Sequence, residues 1–299
     1  MAYSIVYTVG TDSITLNGFD AVMGLTVGYL GDQGFGMAPL HRITQRGPLQ
    51  HGDSDVDFRL DPRILQLPIY IDANSIAEHY EARARLLAIF APSNVMGTLT
   101  VTTDTMTRAI DCYVLGGLSF DVDAKAGYGV RAVIQLRAPD PTWYDPTPVV
   151  LTLTPTIAGT AFAIPMAIPL TLGTASVNIT QTIAYAGTWL SYPIINAVGP
   201  ITGLQITNNT TGQVISLGAV AIGAGTTYTF DLRYGYKTVK TTAGVNKIAD
   251  VTAASNLATW AIVASPIAPS GVNSITVTSS SSSSPAEVNF TYYTRYIGI

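Results

Sequence analysis

The chain has 299 residues, of which 47% are hydrophobic and 11% are charged, and its formal net charge is −4. The length and apolar content suffice for two domains, whereas the charged fraction lies well below the roughly 25% of an average soluble protein. This composition favours a rigid, β-rich particle component over a diffusing enzyme, and its acidic balance argues against tight nucleic-acid binding.

The single cysteine, Cys112, excludes an intrachain disulfide and a cysteine-based zinc site. The first ten residues lack the basic and apolar regions of a signal peptide. The longest apolar run, residues 161–172, is interrupted by Pro165 and Pro169 and is too short to span a bilayer. We therefore expect a soluble chain without a cleaved signal or a membrane span, made in a reducing compartment.

Extended structure dominates the first seventy residues. Residues 3–30 alternate apolar and polar positions around Asn17-Gly18, which predicts a hairpin. The glycines of residues 31–36 predict a mobile loop. A polar loop over residues 41–53 and a strand over residues 56–70 follow.

One helix is predicted over residues 75–91. Ser75 and Glu78 have the spacing of a capping box, in which each side chain accepts a backbone N–H of the first turn. The spacing of Ile76, Tyr80, Leu87 and Phe90 predicts a face packed on a sheet. Pro92 ends the helix.

Strands are predicted at residues 99–102, 108–115 and 128–137, so residues 1–138 form a β-sandwich or open barrel that carries one helix. Four prolines within residues 138–148 exclude a central strand there. We interpret residues 139–148 as a stiff linker, with Trp143 and Tyr144 as anchors between the two domains.

Residues 149–299 are predicted to form an antiparallel β-sandwich, because short extended runs alternate with Gly, Pro and Asn. Residues 208–212 would turn a hairpin between residues 204–207 and 214–217. The serine tract of residues 279–284 is interpreted as a loop between the last two strands. The fold class is therefore mainly β, with a single helix.

The residues of catalytic and metal sites do not form recognisable patterns. Asp53, Asp55 and Asp57 have calcium-loop spacing, but Phe58 and Ile64 stand where that loop needs glycine and glutamate. The three histidines, His41, His51 and His79, lack ligand spacing, and the chain has neither a nucleophile elbow nor a phosphate loop. We therefore expect no catalytic, cofactor-binding or metal-binding residues. We also expect that the protein is not an enzyme.

Four segments of the first half resemble, in order and spacing, the N-terminal domain of distal tail proteins of long-tailed (siphovirus-type) bacteriophages: residues 45–53, 58–63, 86–92 and 140–146. Further segments are similar to the C-terminal galectin-like β-sandwich of that family: residues 189–193, 199–200, 206–212, 222–231, 244–246, 260 and 271–275. The chain lacks the inserted carbohydrate-binding module of the longest family members.

The resemblance implies a structural virion protein at the tail tip. Its first domain would be tail-tube-like and form a homohexameric ring that DNA crosses without specific binding. The implied partners are the tail tube protein, the tape-measure protein, and a tail-tip hub or receptor-binding protein. No cofactor is implied.

Exposed strand edges in a domain with few charges suit a closed ring. We expect subunit contacts from residues 31–36 and 45–63, with candidates Gln45, Arg46, Asp57, Arg59 and Arg63. The arginines would pair with carboxylates of the next subunit, or else with Asp57 or Asp61 of their own chain. Residues 1–146 carry 16 acidic and 10 basic side chains, which gives a formal net charge of −6. Six copies would bring a formal net charge of −36 near the channel, and this charge would repel DNA phosphates.

Two other functions remain as alternatives. The second domain could be a receptor-binding or saccharide-binding adhesin that uses Trp189, Tyr192, Tyr234 and Tyr236 as a stacking platform. A tail-associated hydrolase is less favoured, because the second domain holds only three carboxylates: Asp231, Asp250 and Glu287.

Overall fold

The computed structural model describes residues 3–31, 33–121, 128–154, 177–282 and 285–299, with backbone only at Asp121 and Val177. The chain divides into two compact units. The first unit comprises Met1–Pro146 and Tyr296–Ile299, and the second comprises Thr147–Arg295.

The described part of the first unit contains one α-helix and a series of short antiparallel strands. They are β1 (Ser4–Val9), β2 (Asp12–Thr15), β3 (Gly18–Asp20), β4 (Leu25–Tyr29), β5 (Leu40–Gln45), β6 (Ser54–Leu60), β7 (Arg63–Ile71), α1 (Ile76–Ile89), β8 (Gly97–Thr102), β9 (Thr107–Val114), β10 (Ser119–Asp121), β11 (Val130–Ala138) and β12 (Trp143–Tyr144).

The main sheet of the first unit follows the strand order β2-β1-β8-β9-β11-β7-β4-β3. Its two ends, β2 and β3, are consecutive in the chain and contact each other, so the sheet nearly closes into a barrel. Alternate residues point inward: Leu67 pairs with Ile134 and Leu65 with Leu136 across β7 and β11, and all four are buried. The inward-pointing residues form one hydrophobic core.

The predicted hairpin at Asn17-Gly18 is wrong. β2 pairs with β1, and β3 pairs with β4, so the two residues turn a corner between different strand pairs. The Asn17 side chain donates to the carbonyl of Tyr3 at 2.5 Å. Asn-Gly supplies the turn, and tertiary pairing decides which strands it joins.

The predicted helix is confirmed as α1. The Ser75 hydroxyl accepts the N–H of Glu78 at 3.2 Å, and the Glu78 carboxylate accepts the N–H of Asn74 at 2.8 Å. The prediction of its buried face is wrong in three of four positions. The residues that face the core are Ala82, Leu86, Ile89 and Phe90, whereas Ile76, Tyr80 and Leu87 are exposed.

Residues 40–60 differ from the sequence prediction of a loop and one long strand. Leu40–Gln45 is itself a strand, β5, paired with β6, and the chain breaks at Asp61-Pro62 before β7 starts. The prediction of a mobile loop at residues 31–36 also differs from the structure, since Phe35 is buried in the hydrophobic core. Gly34 has φ +93°, and a Cβ there would lie 2.3 Å from the Ile64 carbonyl oxygen, so only glycine fits.

The second unit continues the strand series and adds two short 3₁₀ turns, Ile248–Asp250 and Pro269–Gly271. The strands are β13 (Val149–Leu153), β14 (Val177–Ala184), β15 (Ile194–Val198), β16 (Ile201–Thr202), β17 (Gln205–Asn208), β18 (Gln213–Ser216), β19 (Ala221–Ile222), β20 (Thr227–Asp231), β21 (Thr238–Thr241), β22 (Val272–Ser279), β23 (Ser281–Ser282), β24 (Glu287–Tyr292) and, across the boundary of the units, β25 (Arg295–Tyr296).

Two antiparallel sheets enclose the core of the second unit, in the orders β13-β24-β15-β20-β21 and β14-β22-β17-β18. Phe230 and Phe290 from one sheet and Ile206 and Val277 from the other belong to the same buried cluster. The predicted fold class, mainly β with an antiparallel sandwich, is confirmed. The predicted hairpin is present as β17 and β18.

The serine tract is only partly a loop. Ser281–Ser282 form β23, which pairs with β16. Ser283 and Ser284 lie outside the described residues, as do residues 161–172, the longest apolar run.

Candidate functional site

The strands β5 and β6 form an antiparallel ribbon that pairs with no other strand in the described part of the chain. Every residue of β5 and all but the last of β6 are exposed, so the ribbon has two bare faces and two bare edges. Val56 is a bulge, because Ile43 pairs with Asp57 and Thr44 with Asp55. An isolated two-stranded ribbon is at best marginally stable in water, so this one needs a cover.

The tip of the ribbon carries the most exposed large apolar side chain in the described residues, Leu49, at 95% exposure. The Gln50 side chain shapes this tip, because it accepts the Gly47 N–H at 3.0 Å and donates to the Ser54 hydroxyl at 2.8 Å. Sequence reasoning did not single out Leu49. A leucine in the middle of a polar turn was the available signal.

Four of the five predicted contact residues lie on the exposed ribbon or its tip: Gln45, Arg46, Asp57 and Arg59. Within the described residues Arg46 has no ion-pair partner, while Arg59 lies 3.6 Å from the Asp61 carboxylate. The Asp57 carboxylate accepts the N–H of Phe58 at 2.7 Å. Arg42, which was not predicted, forms an ion pair with Asp55 across the ribbon.

The fifth predicted residue, Arg63, is only 1% exposed. Its guanidinium donates to four backbone carbonyls of the first unit: Gly34, Gly36 at 2.6 Å, Pro141 at 2.8 Å and Ile297 at 2.6 Å. Burial lowers the pKa of Arg63 to about 10, so the side chain stays charged at neutral pH. Because all three of its nitrogens are engaged, Arg63 holds the base of the ribbon in place and offers nothing to a neighbouring subunit.

Trp143 and Tyr144 also lie within the first unit. Trp143 is fully buried in its core, with Phe35 edge-on at 5.3 Å between ring centroids. The Tyr144 hydroxyl donates to the Asp111 carboxylate at 2.8 Å. These contacts fix the proline-rich segment to the first unit.

The second unit brings two of the four predicted platform aromatics, Tyr192 and Tyr234, into contact. Tyr192 and Tyr234 meet edge to face at 4.7 Å between centroids, and the Lys237 ammonium lies 3.7 Å from the Tyr192 ring centroid. Arg233 covers the Tyr236 ring at 4.4 Å. Burial lowers the pKa of Lys237 to about 8. The fourth residue, Trp189, forms an isolated backbone β-bridge with Arg295.

Within the described residues, no group of three or more His, Cys, Asp or Glu side chains is placed to hold a metal ion. In the same part of the chain, no helix is long and apolar enough to cross a membrane.

The model of the phage tail protein RIFT-related domain family matches residues 29–138. The crystal structure of the Dit protein (gp 19.1) of SPP1, described as a paradigm of the hub adsorption apparatus in phages that infect Gram-positive bacteria, is similar with a TM-score of 0.62 at 12% identity, over 98% of this chain and 99% of that one. A chain of the phage P2 baseplate in its activated conformation with Ca matches with a TM-score of 0.46 at 12% identity, over 97% and 98% of the two chains. No curated protein sequence matches.

The family match spans the ribbon, its anchoring residue Arg63 and α1, and the SPP1 protein shares the fold along nearly the whole chain. Residues 29–138 therefore match a phage tail domain family, and the chain has the fold of the SPP1 Dit protein.

Proposed function

We propose that this protein is a structural component of a phage tail tip, where copies associate side by side into a closed, hexameric ring. The ring joins the tail tube to the tape-measure end and to the tail-tip hub or receptor-binding proteins, and its channel lets DNA pass. The tail-domain match of residues 29–138 and the fold shared with the SPP1 hub protein support this role. The protein performs no chemistry in it.

The observation that carries the proposal is the uncovered ribbon. Two bare edges, two bare faces and an apolar tip are unfavourable on a free monomer and favourable where a neighbour covers them. The ribbon side chains Gln45, Arg46, Asp57 and Arg59 remain our candidates for subunit contacts, and Arg63 is left out because it is buried.

Light scattering on the purified full chain tests self-association directly. We expect a mass of six copies for the wild type and a smaller mass for Leu49→Asp, because the new carboxylate would have to be buried in the contact. Val22→Asp is the matched control, since Val22 is an exposed apolar residue of the first unit outside the ribbon. A wild type that stays monomeric at high concentration, with no rings in negative-stain images, contradicts the ring.

The channel wall is a second part of the proposal. Residues 1–146 have a formal net charge of −6 in each copy, so the ring would be acidic and would keep DNA phosphates from adhering. A ring structure whose channel is lined mainly by arginine and lysine contradicts this part alone.

A second candidate function is saccharide binding by the second unit, which the exposed ring of Tyr234 against Tyr192 favours. Binding of the full chain to a glycan array, lost in Tyr234→Ala and kept in Tyr80→Ala, would support it. An array without binding at high protein concentration would rule it out.

A further inference from the structure

The helix α1 presents an apolar face to solvent. Ile76, Tyr80 and Leu87 are 62%, 61% and 53% exposed. We define the outer face of α1 as these three residues together with the exposed Ala77, Ala84 and Ala88. At 100° per residue all six fall within one side of the helix, flanked by Glu81 next to Ala88 and by Arg83 next to Ile76. The Arg83 guanidinium lies over the Phe120 ring, 4.5 Å from its centroid.

A contiguous apolar patch that stays exposed usually marks an interaction site. Within the described residues, the first unit covers only one side, where Ala82, Leu86 and Ile89 meet the core. On the outer face, the small side chain of Ala84 lies between the larger Tyr80 and Leu87. A small side chain between two larger ones leaves room for a single protruding side chain of a partner.

The same unit carries a matching protrusion, the ribbon with Leu49 at its tip. Opposite charges accompany the two apolar surfaces. Arg46 beside the tip and Glu81 beside the outer face both lack an ion-pair partner within the described residues. Arg46 and Glu81 therefore offer one pair of opposite charges to a contact between the apolar tip and the outer face of α1.

The contact must join two copies of the chain. The ribbon ends at Leu60 and α1 begins at Ile76, and the nine residues of β7 between them span about 30 Å. Within one chain both surfaces remain exposed. A contact between two different surfaces of identical chains is heterologous, and it repeats from copy to copy until a ring closes.

We propose that the outer face of α1 is the docking site for the ribbon tip of a second copy, with Leu49 against Ala84 and Arg46 facing Glu81. The inference rests on the ring proposed above and deepens it, since it names the receiving surface.

Disulfide cross-linking between singly substituted full chains tests the docking. Leu49→Cys and Ala84→Cys chains of distinguishable mass are mixed at a concentration where the wild type associates, and then mildly oxidised. Cys112 is buried with a pKa raised to about 12, so its thiol does not compete. We expect at least ten-fold more mixed two-chain product than from Leu49→Cys mixed with Val22→Cys, although Val22 is also exposed.

A second variant keeps the test independent of thiol geometry. Leu87→Arg should reduce the mass in light scattering with an unchanged unfolding temperature, whereas Val22→Arg should leave both unchanged. If oligomers form but the cross-link is not selective and Leu87→Arg still associates, the docking site is wrong and the ring proposal stands. Predominant Leu49→Cys self-cross-linking would also overturn the docking, because it indicates a symmetric contact. A wild type that never associates overturns both.

Discussion

At the scale of single residues, Arg63 was expected to be a surface charge, but it is buried and its guanidinium binds four backbone carbonyls. From the sequence it resembled the arginines around it, Arg46 and Arg59, and was expected to bind a neighbour. Its carbonyl partners come from positions as distant as Gly34 and Ile297, and no local pattern predicts such a meeting. Arg46 and Arg59 could be placed on the surface because their whole surroundings in the sequence are polar.

We expect Arg63→Met to destabilise the first unit by about 3 kcal/mol or more, since it strands several buried carbonyls without donors. Arg63→Lys should recover little, because one ammonium cannot reach four carbonyls in different directions. Calorimetry of the full chain measures the change. Arg59→Met is the control and should stay within about 0.5 kcal/mol, since Arg59 is exposed. An equal effect of both substitutions would refute the role of Arg63.

Two buried acids of the first unit predict how its stability depends on pH. Burial raises the pKa of Cys112 to about 12 and that of Tyr7, next to it, also to about 12. Both values exceed the ordinary 9.0 and 10.0, so the neutral forms stabilise the fold below pH 9 and this contribution is lost towards pH 12. We expect the free energy of unfolding to fall over that range, and to fall less steeply in Cys112→Ala. Identical slopes in urea titrations would contradict this.

At the scale of secondary-structure elements, local sequence signals were sufficient to predict α1 but not to predict β5. The capping box of Ser75 and Glu78 fixed where α1 begins. The helix is apolar on both sides, however, so periodicity could not tell which side faces the core. The strand β5 has solvent on both faces, and therefore lacks the alternation by which strands are recognised.

We expect Ser75→Ala to cost about 1 kcal/mol of the stability of the first unit, because the Glu78 N–H then loses its acceptor. Ser119→Ala, at an exposed strand position, is the matched control and should cost less than about 0.5 kcal/mol. Chemical denaturation monitored by far-ultraviolet circular dichroism compares the two. Equal losses would show that the cap contributes nothing.

At the scale of the whole molecule, the order of sequence segments sufficed to indicate a phage distal tail fold, which the tail-domain match and the SPP1 structure support. The return of the last four residues to the first unit could not be foreseen. Ile299 donates to the Phe35 carbonyl at 3.1 Å, and the Tyr296 hydroxyl donates to Asp145 at 3.0 Å. These partners are more than a hundred residues away in the sequence.

Removing residues 296–299 should lower the unfolding temperature of the first unit by about 5 °C or more, since Arg63 and Phe35 each lose a partner. The second unit has a core of its own and should keep its transition unchanged, which makes it an internal control. Differential scanning calorimetry resolves the two transitions. A shift of both, or of neither, would contradict the assignment of these residues to the first unit.

The same four residues determine the order in which the two units can finish folding during synthesis. The ribosome adds them only after it has translated all of Thr147–Arg295, so the first unit is completed after the second unit has been synthesised. Multidomain chains usually finish their domains in order of synthesis. Here the half that carries the ribbon reaches its final form only after the second unit has been translated, which delays premature association between neighbouring nascent chains.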